Sequence, residues 1–181
     1  RFFQSPDWRE FLGKDLDYFL FRGITHGFLD TIREFTDLQT EGLENLPRTG
    51  PVIVVPNHSG VLGWDAMVLQ NEILKKAKRM PRTMSHNYWH KDGFLKMASA
   101  KLAYIPQDFK VAIRVLRKRK LLILFPEAES GNFKSSVEMY QLKPFNPSFI
   151  SLAIMTGTTI VPVSILGAEE THLNLGTLYG T

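Results

Sequence analysis

Residues Thr49 to Leu69 read "TGPVIVVPNHSGVLGWDAMVL". Val52, Ile53, Val54 and Val55 stand between Pro51 and Pro56 with no polar residue among them. A strand with one wet face alternates apolar and polar residues; a β-branched run that is apolar at every position fits a strand covered on both sides. "PNHSG" then carries turn chemistry, and from Trp64 the apolar residues fall at helical spacing. The stretch reads as a buried strand, a turn and a helix.

The same alternation continues downstream. "PRTMSHNYWH" begins as a second strand, and "DGFLKMASAKLAYI" is a helix running into a short strand. "DFKVAIRVLRKRK" is helical, "LLILFPE" is a strand from Leu121, "NPSFISLAIMTG" is a helix ended by Gly157, and "TIVPVSIL" is the next strand. Upstream, apolar positions at Phe11, Tyr18, Phe19, Phe28, Leu29 and Ile32 fit one or two amphipathic helices broken near Gly23. The expected fold is α/β, a single domain with a mostly parallel mixed sheet flanked by helices. Residues 1–40 form its N-terminal amphipathic segment and 41–181 the α/β domain, with the C-terminal part expected to be incomplete.

Composition narrows the chemistry. At 181 residues, 44% hydrophobic and 12% aromatic, the chain can build one ordinary core. It has no cysteine, which excludes disulfides, thiolate zinc sites and a cysteine nucleophile. Of the five histidines, only His86 and His90 share a helical spacing, and no metal site is read from them. The net charge is +4 and the pI about 9.3, with a basic run "RVLRKRK" at Arg114 to Lys120. Such a run is the solvated end of a helix or an attractor of phosphate on anionic lipid or on a nucleotide-bearing cosubstrate. Without interleaved aromatics it does not indicate nucleic acid. No apolar stretch reaches the roughly 18 residues needed to span a bilayer.

In open α/β sheets, functional groups gather beyond the carboxyl ends of the strands. His58 stands there after the first strand, and Glu127 after "LLILF". A histidine can take a proton from a hydroxyl near neutral pH, and a carboxylate on its other ring nitrogen fixes the tautomer. Asp65 fits that role if the loop from Gly60 to Gly63 folds back, which two glycines favour. The alternative is that Asp65 only complements the helix dipole while Asn57 and His58 satisfy turn hydrogen bonds.

Four ordered blocks, "GLENLPRTGPVIVVPNHSG", "NHSGVLGWD", "LFPEAESGNFKSS" and "IVPVSILGAEETH", resemble the glycerolipid acyltransferase superfamily, the lysophospholipid acyltransferases of the PlsC type. They look most like its monoacylglycerol acyltransferase-like branch, and the resemblance runs from about Gly42 to His172. It implies an O-acyltransferase that moves a fatty acyl group from acyl-CoA or acyl carrier protein to a lipid hydroxyl. It implies His58 as base, Asp65 as its orienting partner, and substrate-binding roles for Asn57, Ser59, Glu127, Ser130 and Lys134. No cofactor beyond the acyl cosubstrate is implied. The expected partners are the acyl donor, a lipid acceptor and a membrane surface, with a peripheral location on the cytoplasmic face. A hydrolase using the same pair with water, or a non-catalytic lipid-binding domain, are the rival readings.

Three positions depart from the family pattern. The usual spacing puts four residues between His and Asp, whereas here six intervene and residue 63 is glycine. Ser130 stands where the "FPEGTR" block has an arginine, and Gln107 where "AYIPQD" would often carry another. Lys134 and Lys143 are candidate substitutes, as point charges without the bidentate fork of arginine. The missing arginines argue for an acceptor without a terminal phosphate.

Overall fold

The computed structural model describes residues 27–59, 63–91 and 93–174. The N-terminal segment expected over 1–40 lies mostly outside them, as does its break near Gly23. Within them α1 spans Leu29–Phe35, β1 Val52–Pro56, α2 Trp64–Glu72, β2 Arg82–Ser85, α3 Phe94–Lys101 and β3 Tyr104–Pro106. Then follow α4 Phe109–Arg117, β4 Leu121–Ile123, α5 Ala128–Asn132, α6 Ser148–Thr156 and β5 Thr159–Val163.

The strands form one sheet in the order β3-β2-β4-β1-β5, and every pairing is parallel. The sheet expected as mixed is thus wholly parallel among the described residues. β1 lies between β4 and β5, which explains why it tolerates no polar residue: all five of its positions are buried.

Two cores sit on opposite faces of the sheet. Val52 and Val54 pack with Leu121 and Ile123 against Ala66 and Leu69 of α2. Ile53 and Val55 pack with Leu122 and Leu124 against Ala112, Val115 and Leu116 of α4 and Leu152 of α6. The period-two alternation of a strand decides this division, because neighbouring side chains point to opposite faces. From β1 the chain moves toward one edge through α2, and from β4 it moves toward the other through α6. Right-handed crossovers running in opposite directions place these helices on opposite faces and open a crevice between the carboxyl ends of β1 and β4.

The basic helix is shorter than its charge run. α4 stops at Arg117, and the N–H groups of Arg119 and Lys120 return to the carbonyls of Leu116 and Val115 at 2.8 and 3.2 Å. Arg119 takes a left-handed φ of 58°, so Lys118 to Lys120 make the turn into β4. No helix among the described residues is long and apolar enough to cross a membrane.

Candidate active site at the carboxyl ends of β1 and β4

His58 follows β1 by two residues, and Asp65 lies in the first turn of α2. His58 Nδ1 and Asp65 Oδ2 are 2.6 Å apart, with the aspartate side chain fully buried and the histidine side chain 12% exposed. The longer loop therefore does not separate the pair. Gly63 explains part of this, since it caps α2 with a left-handed φ of 76°, a conformation that glycine adopts without steric penalty. Asp65 holds more than the imidazole. Its Oδ2 also accepts the Ser59 N–H at 2.9 Å, and its Oδ1 accepts the Ala66 N–H at 2.8 Å. One carboxylate thus secures the loop's beginning, the imidazole and the start of α2.

The ring is fixed from a second side by Phe125, whose centroid is 4.4 Å away at an interplanar angle of 33°. With Nδ1 engaged by Asp65, Nε2 is the nitrogen left to meet a substrate. Burial, and then the Asp65 carboxylate, push the phenol of Tyr104 up, so it stays protonated.

Glu127 closes β4's side of the crevice. It is 2% exposed, its Oε2 accepts the His58 N–H at 2.6 Å, and its Oε1 accepts the Lys143 N–H at 2.7 Å. Both oxygens therefore brace main chain. Ala128, the next residue, has a left-handed φ of 51° where the family block carries glycine. That turn starts α5, a short helix that the sequence pattern did not announce. Within it, Gly131 comes so close that a Cβ there would lie 2.8 Å from His58 Cβ and 2.6 Å from Glu127 Oε2.

The remaining expected residues fall around this centre in different ways. The Asn57 amide donates to the Ile165 carbonyl at 2.9 Å and accepts the Ile165 N–H at 2.6 Å, which ties the exit of β1 to the chain after β5. Ser59 is buried beside Asp65. Ser130 is exposed and donates its hydroxyl to the Glu127 carbonyl at 2.6 Å. Lys134 is buried, ion-paired with Glu169 and hydrogen-bonded to the Gln141 carbonyl. Lys143 pairs with Glu138 at 2.5 Å and holds that carboxyl below its ordinary range. Neither lysine stands free of a carboxylate. The residues around this centre that sequence reasoning missed are Phe125, Gly131 and Glu169. Only Gly131 left a signal, as the glycine of "ESGN" next to the glutamate block.

His86 and His90 turn to different partners. His86 Nε2 meets Glu129 at 3.0 Å and His90 Nε2 meets Ser85 Oγ at 2.8 Å.

A family model described as Acyltransferase matches residues 37–166, most of the chain. Uncharacterized proteins of Mycobacterium tuberculosis and Mycobacterium leprae are 32% and 33% identical to it over 138 residues. Each match covers 75% of this chain but 38% of the relative, so the chain spans well under half the length of these relatives. Its blocks, its parallel sheet and the match to residues 37–166 agree, and the chain belongs to the acyltransferase family, that of the PlsC-type glycerolipid acyltransferases.

Proposed function

We propose that this domain transfers a fatty acyl group from the thioester of acyl-CoA or acyl carrier protein to a hydroxyl of a lipid acceptor. The observation that carries the reading is the 2.6 Å contact between His58 Nδ1 and Asp65 Oδ2, made across a loop two residues longer than the family spacing. His58 Nε2 takes the proton of the acceptor hydroxyl as its oxygen attacks the thioester carbonyl carbon. Asp65 stabilises the imidazolium. The C–S bond breaks as the ester C–O bond is completed, and the imidazolium returns the proton to the departing thiolate. No acyl-enzyme is formed. Asn57, Ser59, Glu127, Ser130 and Lys134 shape the acceptor side, Glu127 by holding the backbone of His58.

The protein lies on the cytoplasmic face of a membrane as a peripheral binder, its basic α4 end facing anionic lipid. This part of the reading rests on charge: Arg114, Arg117, Lys118 and Arg119 are all exposed.

The test is incubation with labelled acyl-CoA and a panel of lysolipids, monoacylglycerol and simple alcohols, with products identified by mass. His58→Ala should lower transfer by about 10²-fold or more while the circular dichroism spectrum is kept. Asp65→Asn should lower it too, because an amide favours the wrong tautomer. Near wild-type turnover in His58→Ala would sink the reading, and free fatty acid in place of ester would favour the hydrolase.

A further inference from the structure

From Phe133 to Pro147, the stretch that joins α5 to α6, Lys134 is the only buried residue. The large apolar side chains of this stretch, Phe133, Val137, Tyr140, Leu142 and Phe145, are all exposed. Its one regular piece is a 3₁₀ turn over Ser136–Glu138. Neither a hydrophobic core nor a backbone ladder shapes the segment, so its polar contacts must.

The buried ammonium is the centre of those contacts. A buried charge is tolerated when it is paired and its remaining donors are met, and Lys134 has both an ion pair with Glu169 and a hydrogen bond to the Gln141 carbonyl at 2.9 Å. The other Glu169 oxygen accepts the Tyr140 N–H at 2.5 Å. Lys134 and Glu169 therefore grip two consecutive residues, one by its N–H and the other by its carbonyl. Tyr140 needs a grip of this kind, because its left-handed φ of 61° is unfavourable for a residue with a side chain.

The loop then leads straight to the crevice. Three residues past Tyr140, the Lys143 N–H donates to Glu127 Oε1 at 2.7 Å, and Glu127 Oε2 accepts the His58 N–H at 2.6 Å. Polar contacts and two residues of chain thus connect Glu169, which follows β5, with the main chain of His58, which follows β1. If Tyr140 and Gln141 were released, Lys143 would lose its aim, Glu127 would be held by one oxygen only, and its hold on His58 would loosen.

We infer that Lys134 and Glu169 are positioning residues, which set the place of His58 through Glu127. The inference rests on the acyl-transfer reading and gives Lys134 a part in it through the loop rather than through the charge of an acceptor. A displacement of about 1 Å in a reacting group costs on the order of 10²-fold in rate, so a clamp two contacts away has a kinetic signature.

The experiment compares Lys134→Met, Lys134→Arg, Glu169→Gln and Glu169→Asp with the unmodified protein, using acyl-CoA with a lysophospholipid and with an uncharged alcohol. The imidazole signals of His58 are followed by NMR without substrate, and the fold by circular dichroism. Lys134→Met and Glu169→Gln should lower kcat by about 10²-fold for both acceptors, leave the acceptor KM unchanged and shift the His58 signals. Lys134→Arg should stay nearest the unmodified protein, since a guanidinium can still serve Glu169 and the Gln141 carbonyl. Glu169→Asp keeps the charge but is one methylene short, so it should lower kcat in the same sense even where the other variants fail to fold. Folded variants with unchanged kcat and unchanged His58 signals would reduce the pair to a structural role and overturn the inference. A raised KM for the phosphate-bearing acceptor alone, with kcat kept, would overturn it too and make Lys134 a phosphate contact. Transfer to neither acceptor by the unmodified protein would sink the acyl-transfer reading, and the His58 signals would still decide whether the pair positions that ring.

Discussion

The Glu127 carboxylate receives the backbone N–H of His58 at 2.6 Å, so the glutamate that ends one strand fixes the main chain of the histidine that ends the neighbouring one. The contact joins residues 69 positions apart in the chain. It couples the position of His58 to the register of β1 beside β4.

Glu127→Gln should therefore act through His58. Glutamine has one acceptor oxygen, while Glu127 uses two to hold the N–H groups of His58 and Lys143. One backbone donor is left facing an amide NH₂ in a buried site, at a cost of about 1–3 kcal/mol. Urea unfolding should report that loss, and kcat should fall with little change in the acceptor's KM. Unchanged stability with a raised acceptor KM would mean that Glu127 contacts the acceptor itself.

Two neighbouring residues of α5 should respond in opposite ways. A methyl group at Gly131 would sit under 3.0 Å from both His58 and Glu127, closer than such atoms approach, so Gly131→Ala must displace one or both of them. It should cost about 1–3 kcal/mol and at least tenfold in turnover. Ala128→Gly relieves a left-handed alanine, worth about 1–2 kcal/mol, against a backbone-entropy cost of about 0.5–1 kcal/mol. Thermal unfolding of the two variants should move Tm down for the first and slightly up for the second. A Gly131→Ala protein with full turnover would contradict this packing.

His90 should make stability fall on the acid side. Burial pushes its pKa below the ordinary 6.5, with a backbone hydrogen bond at Ile105 opposing the shift. The unfolded chain then takes up the proton first. The stabilisation is complete above 6.5 and is lost as the pH drops through that value toward the lowered folded one. His90→Gln can still meet Ser85 and does not titrate, so its urea midpoint should decline less between pH 7 and pH 5. Equal declines in the two proteins would assign the acid sensitivity to other groups.

Local pattern was enough for the α/β class and for the positions of most strands and helices. The run from Val52 to Val55 is apolar at every position because β1 is covered on both faces, and burial of that kind is written in composition. Helix ends and loop geometry were less legible. α4's charge run outlasts the helix because a left-handed Arg119, rather than a glycine, makes the turn. α5 is too short to show a period.

Whether Asp65 reaches His58 was undecidable from spacing, since a seven-residue separation says nothing of how a loop folds. The structure decides it because the same carboxylate binds the N–H groups of Ser59 and Ala66 as well as the ring. The same holds for Lys134 and Glu127. Their sequence neighbours suggested contacts to substrate, while Glu169 and the His58 backbone, brought in from 35 and 69 positions away, occupy them. Sequence alone thus fixed which residue types stand at the strand ends. Only the tertiary structure decided which of their polar atoms are already satisfied, because those partners come from distant parts of the chain.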